Sequence, residues 1–133
     1  MDRHLHLMIN TVFVKTLLQN TSDAIICLAS DFSISVFNYN AEEFYQWKNK
    51  DIVGKNFLTL CEEAGYEPPL RSDFFNNPHH TESIQDLRNA HGKLCTINWL
   101  VFPLSATDNL FEGLVLIGKD IRVKKNTIAY HLD

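Results

Sequence analysis

The 133-residue chain has little of what marks a secreted, membrane-spanning or nucleic-acid-binding protein. It carries three cysteines, Cys27, Cys61 and Cys95, each 34 residues from the next and without a C-x-x-C pair. An odd, dispersed set excludes a disulfide framework and suits a reducing compartment, where such thiols pack as small hydrophobes. Five glycines and four prolines are too few for a low-complexity or collagen-like chain. No apolar run approaches the ~20 residues that span a bilayer. The opening Met1-Asp2-Arg3-His4-Leu5-His6 has no apolar core leading to a small-residue cleavage site. Nor is there an excess of positive charge: 12 Lys and Arg against 16 Asp and Glu give a net charge of −4. The one basic cluster, Arg122, Lys124 and Lys125, is too small for a phosphate-binding face. The expectation is a cytoplasmic segment with no nucleic-acid partner and no membrane contact of its own.

What is present suits a folded domain. Hydrophobic residues make up 45% of the chain, and a chain of this length buries roughly two thirds of its unfolded surface without metal or disulfide staples. Residues 3–20 lack Gly and Pro and repeat apolar positions at a helical period. Leu5, Met8, Ile9, Val12, Phe13 and Leu17 share one face; Leu7, Val14 and Leu18 lie nearly opposite. A helix apolar on two faces needs two partners. One is its own domain, and the other is expected to be a second copy of the chain, with Leu7, Val14 and Leu18 at a homodimer interface.

Ala24 to Ala29 is a short apolar run with adjacent isoleucines, followed by a turn at Ser30–Ser33 and a return through Ile34, Val36 and Phe37, which together read as a β-hairpin. Asn38 to Trp47 changes to a helical period, residues 48–56 are polar around one apolar anchor at Ile52-Val53-Gly54, and Phe57 to Ala64 reads as a further helix. Gly65 to Thr81, punctuated by Pro68-Pro69 and Asn76-Asn77-Pro78, is expected to be a loop. Three strand signals close the chain, at Ser83–Arg88, Lys93–Leu104 and Leu110–Ile121. Two strands, a run of short helices and three more strands predict an α+β domain, an antiparallel sheet with the helices on one face.

Four passages carry a resemblance to a known family: Asp23-Ala24-Ile25-Ile26; Val36 to Glu42, with its N-x-x-A step at Asn38 and Ala41; Asp51-Ile52-Val53-Gly54-Lys55; and His91-Gly92-Lys93 through Trp99 and Pro103-Leu104 to Gly118-Lys119-Asp120-Ile121. In order and spacing the chain resembles a PAS domain, the sensory module of bacterial signalling proteins, over residues 21–122. The resemblance implies a five-stranded antiparallel sheet whose helix-covered face encloses a cavity. It also implies a non-catalytic module that passes a ligand, redox or light signal through flanking helices to an attached effector, such as a histidine kinase or a diguanylate cyclase. Residues 1–20 then form a flanking, dimerising helix, and 123–133 begin a helical linker to a downstream domain. Asp120 and Ile121, matching the terminal D-I-T, mark the signal exit. Departures are Trp47, where most relatives carry Gly, His91 for the usual Asp of the D-G turn, and Arg122 for Thr.

The expected pocket wall is aromatic: Phe37, Phe44, Trp47, Phe57, Trp99 and Phe102, with Asn38 either orienting a ligand or tying a strand end to the next helix. These rings either stack on a flat small molecule or fill the space themselves; the second is preferred, so no cofactor is assigned. A thiol–flavin adduct is excluded because Phe57 stands where such photoreceptors carry the reactive Cys; non-covalent flavin stays open. Haem would need an axial His, and His79 and His80 lie near the required region, although in an Asn/Pro-rich stretch they suit solvent better. Gly113 to Lys119 copies a phosphate-binding loop only superficially, since four aliphatics separate the glycines and Asp120 follows the lysine. The competing class is a small cavity enzyme, an isomerase or hydratase, but it needs a titratable pair facing the pocket and the strands offer none.

Overall fold

The computed structural model describes residues 22–70, 80–88, 92, 94–105 and 111–121. The expected flanking helix with Leu7, Val14 and Leu18, most of the Pro-rich loop including His79, the turn at 89–91 and the linker at 123–133 lie outside the described residues.

The elements in chain order are β1 (Ala24–Ala29), β2 (Ile34–Phe37), α1 (Tyr39–Tyr45), α2 (Asn49–Ile52), α3 (Phe57–Ala64), β3 (Thr81–Arg88), β4 (Leu94–Ser105) and β5 (Phe111–Asp120). They make a five-stranded sheet in the order β2-β1-β5-β4-β3, antiparallel at every pairing. The α+β architecture anticipated from the sequence is the observed one. Its central strand, β5, joins the amino-terminal hairpin to the carboxy-terminal pair.

Strict alternation sorts the sheet's side chains. Ile26, Leu116, Val101 and Thr81 form one cross-strand row, and Ala24, Gly118, Trp99 and Ser83 form the next. Most of these are buried on the face that the helices cover. The intervening residues Ile25, Cys27, Val115, Ile117, Leu100 and Phe102 share the opposite face and are half-buried. A one-residue slip would exchange the two sets, so burial of the first fixes the register.

Local chemistry sets the turns. Asp31 accepts hydrogen bonds from both the backbone N–H (3.0 Å) and the hydroxyl (2.6 Å) of Ser33, which closes the β1–β2 turn and holds the Asp31 carboxyl below its usual pKa. Between these two residues Phe32 takes a left-handed φ of 68°. Helix α2 lies in the polar stretch that its sequence left without structure. One turn with one buried apolar residue, Ile52, gives no period to read. It is held from outside instead: the Glu42 carboxylate accepts from Asn49 N–H at 2.6 Å, and the Asn49 amide donates to Phe37 O at 2.5 Å. The segment after it covers the free edge of β2, with Ile34 N–H on Lys55 O and Gly54 N–H on Ile34 O.

Candidate functional site

The sheet's covered face and the three helices enclose a cluster of rings centred on Tyr45. Its phenol lies parallel to the Trp47 indole, with centroids 4.6 Å apart, and 6.2 Å from Trp99, also stacked. Phe57 meets it edge-on at 6.0 Å, and Phe37 and Tyr66 lean on it at 5.8 and 6.1 Å. Phe37, Phe57, Trp99 and Tyr45 itself are almost wholly buried. Trp47 is half-buried, and its ring also stacks on Phe37 at 6.2 Å. Phe44 is half-buried against the same core.

Of the six rings expected on the pocket wall, Phe37, Trp47, Phe57 and Trp99 therefore meet around Tyr45, and Phe44 packs against the core. Phe102 does neither: it pairs with Val115 on the opposite face of the sheet, 5.2 Å from the exposed His80 ring. The reason is parity. Trp99 and Val101 point inward, so Phe102 points outward, and a strand that is apolar on both faces hides that alternation. His80 accordingly lies against the outer face rather than toward the rings.

Tyr45 was missed among the site residues, as was Gln85. The Gln85 side chain is buried in the middle of the cluster and connects β3 to α1, α3, β4 and the segment that follows α3. Its Oε1 accepts from the Tyr45 hydroxyl at 2.6 Å and from the Trp99 indole N–H at 3.0 Å. Its Nε2 donates to Glu67 O at 2.9 Å. The partners fix the amide's orientation, because an indole N–H can only donate and a carbonyl can only accept. Gln85 also bonds the Cys61 thiol, which burial pushes up to about 12, the bond to Gln85 offsetting only part of that rise. Tyr45 is raised well above its ordinary value, first by burial. Neither group can supply a base or a nucleophile near neutral pH. One sequence signal pointed to Gln85: a long polar residue at an inward position between Ser83 and Leu87.

Asn38 is fully engaged in structure. As N-cap of α1 it accepts from Ala41 N–H at 3.0 Å, and the same Oδ1 accepts from Ile25 N–H at 2.9 Å, while its Nδ2 donates to Asp23 O at 2.9 Å. It therefore ties the end of β2 to β1 and α1 and turns no polar group toward the rings. Asp120 and Ile121, at the end of β5, are half-buried, and Asp120 pairs with Ile97. Of the thiols, Cys61 and Cys95 are buried as expected; Cys27, on the outer face, is only half-buried, and its pKa is still raised to about 11 by burial. Among the described residues no three His, Cys, Asp or Glu side chains gather as a metal site would require, and no helix is long and apolar enough to cross a membrane.

The known structures that this chain resembles share its fold at low sequence identity. An RNA-binding light-oxygen-voltage receptor superposes with a TM-score of 0.68 at 16% identity; the match covers 92% of this chain but only 36% of the receptor. The PAS domain of Bordetella pertussis BvgS gives 0.62 at 15%, covering 92% of this chain and 96% of that domain. A sensory box sensor histidine kinase from Vibrio cholerae gives 0.52 at 18%, covering 90% and 98%. No family model matches the chain, and no curated protein is similar to it. The fold, five antiparallel strands with short helices over one face, is that of PAS domains.

Proposed function

We propose that this PAS-fold chain is a cytoplasmic sensory and dimerisation module of a signal-transduction protein, joined to an effector such as a histidine kinase or a diguanylate cyclase. One observation carries the reading: the interior is occupied by stacked rings knitted through a single buried amide, not by groups able to do chemistry. Tyr45 and Cys61, the titratable side chains at its centre, are both held in their neutral forms. Such an interior suits a unit whose output is a change of packing. That PAS domains of sensor kinases share the fold supports the same reading by analogy.

In this proposal the amino-terminal helix pairs two copies through Leu7, Val14 and Leu18, and the signal leaves past Asp120 and Ile121. Light scattering on the purified chain tests the pairing. The expected species is a dimer that becomes a monomer when Leu7, Val14 and Leu18 are together changed to Glu. An unchanged dimer would remove the helix from its assigned role.

A further inference from the structure

The outer face of the sheet carries an apolar band whose outline is set by register. Ile25, Ile117 and Leu100 form one cross-strand row, and Cys27, Val115 and Phe102 form the next. Asn98 and Lys119, paired one outward row before them, bound the band with polar groups. On its other side stand Ala29 and Gly113, which offer little side chain. The three described helices bury their apolar residues in the inner core, so none of them lies over these six side chains. All six are nonetheless half-buried, whereas Ile84, Leu94 and Leu104 at the margins of the same face are 64%, 40% and 44% exposed. Cys27 stands within the band, and burial raises its thiol to about 11. A contiguous apolar face of this kind is a contact surface.

The occupant follows from what adjoins the band. Only Thr21, Ser22 and Asp23 separate residues 3–20 from β1, the strand that supplies Ile25 and Cys27. Three residues reach about 10 Å when extended. The inner face is already filled by the Tyr45 cluster and α1–α3, which leaves the outer face within that reach. Shape agrees as well. The stripe from Leu5 to Leu17 is about 18 Å long at 1.5 Å per helical residue. The band crosses β1, β5 and β4, about 10 Å between the outer axes and about 15 Å with side-chain width added. One helix laid across the strands therefore covers it. A second copy's sheet packed here would also have to bury the Asn98 and Lys119 row, which a helix about 10 Å wide leaves to solvent.

We propose that the outer band is the seat of residues 3–20 of the same chain, which lie across it as a helix with Leu17 over Ile25 and Ile117 and the stripe running toward Phe102. Leu5, Met8, Ile9, Val12, Phe13 and Leu17 face the sheet, and Leu7, Val14 and Leu18 face away from it. The proposal rests on the reading of residues 3–20 as a helix and adds its docking surface, which the pairing of two copies does not require.

Cys27 is a built-in reporter of that seat. The test times the reaction of each thiol of the full chain with a thiol reagent by peptide mass spectrometry, with the buried Cys61 and Cys95 as references for an intact fold. In Met8→Glu/Val12→Glu the Cys27 rate should rise about tenfold or more, because the thiol gains both access and thiolate character, while the two reference rates stay native. Leu7→Glu/Val14→Glu/Leu18→Glu should leave the Cys27 rate unchanged even as it splits the dimer. A dimer that survives this second variant counts against the pairing alone, so the two ideas fail separately. Equal Cys27 rates in the native and Met8→Glu/Val12→Glu chains would overturn the seat. So would a Cys27 rate that rises only when the dimer splits, which would assign the cover to a second copy. Where the glutamates also expose Cys61 and Cys95, Met8→Ala/Val12→Ala decides instead: Cys27 alone should react about threefold faster, and an unchanged rate would overturn the proposal.

Discussion

The indole of Trp99 occupies the space that a side chain at Gly118 would need. The two residues are cross-strand partners on β4 and β5, and a Cβ built on Gly118 falls 2.6–2.8 Å from three atoms of the six-membered ring. The glycine is thus selected by its neighbour rather than by its own backbone angles: it lets a large ring lie against the central strand.

Gly118→Ala should accordingly push the indole outward and lengthen its hydrogen bond to Gln85. A destabilisation of about 1–3 kcal/mol is expected from overpacking. The measurement is a urea midpoint read together with Trp fluorescence, which should shift as the indole N–H loses its partner. An unchanged midpoint and spectrum would mean that Trp99 is not held as described.

Gln85 offers a sharper test of the buried network. Gln85→Leu keeps the volume but leaves the Tyr45 hydroxyl and the Trp99 N–H without their acceptor. Each orphaned donor costs about 1–3 kcal/mol. Tyr45→Phe removes one donor and should cost about 1 kcal/mol in the native background, yet close to nothing once Gln85 is Leu. The double-mutant cycle should therefore show a coupling of about 1 kcal/mol or more between residues 40 positions apart. Additive losses would argue against a shared amide.

The sheet and helices α1 and α3 were legible in the sequence because those elements carry a pattern of their own. β1 reads as an uninterrupted apolar run, α3 has an Asn56 cap and a Gly65 stop, and both helix ends are found where those residues stand. α2 was not legible, because a single turn has no period and its support comes from Glu42 and Phe37, distant in purpose if not in sequence. The site was half legible. Aromatic residues announce a ring cluster, but which face Phe102 joins depends on register, and the hub role of Gln85 depends on residues 14, 18 and 40 positions away meeting one amide. No local pattern encodes such a meeting.

Asn38 separates the structural from the ligand-orienting role of a matched residue. Asn38→Ala deletes the N-cap of α1, leaves Ile25 N–H without its acceptor and leaves Asp23 O with only the bond from the Asn40 amide. The expected loss is about 2–3 kcal/mol, a cap plus a partly buried orphan. Asn38→Asp retains both accepted bonds and should recover much of that loss, with the lost donation to Asp23 O as the remaining defect. Equal losses in the two variants would assign the stability to the donated bond instead. A loss confined to ligand binding, with stability intact, would restore the orienting role.

Alkaline pH should weaken the fold through its cysteines, and the sign follows from the direction of their shifts. Burial raises Cys61 from 9.0 to about 12 and Cys27 to about 11. Well below pH 9 the thiols are protonated whether the chain is folded or not, and their contribution to stability is intact. Above it the unfolded chain loses those protons while the native one keeps them, so unfolding is favoured until the native thiols themselves ionise. By pH 10 the penalty is on the order of 1 kcal/mol for each thiol. Urea midpoints should therefore decline between pH 8.5 and pH 10 (about the range where a free thiol titrates), and the decline should be shallower in Cys61→Ala than in the native chain. The comparison is of slopes, so the cavity that alanine leaves does not confound it. Over the same range a thiol reagent should label Cys61 only as fast as the protein opens. Rapid labelling of Cys61 in the folded state, or a slope that the substitution leaves unchanged, would show that the thiol is not sealed beneath Gln85.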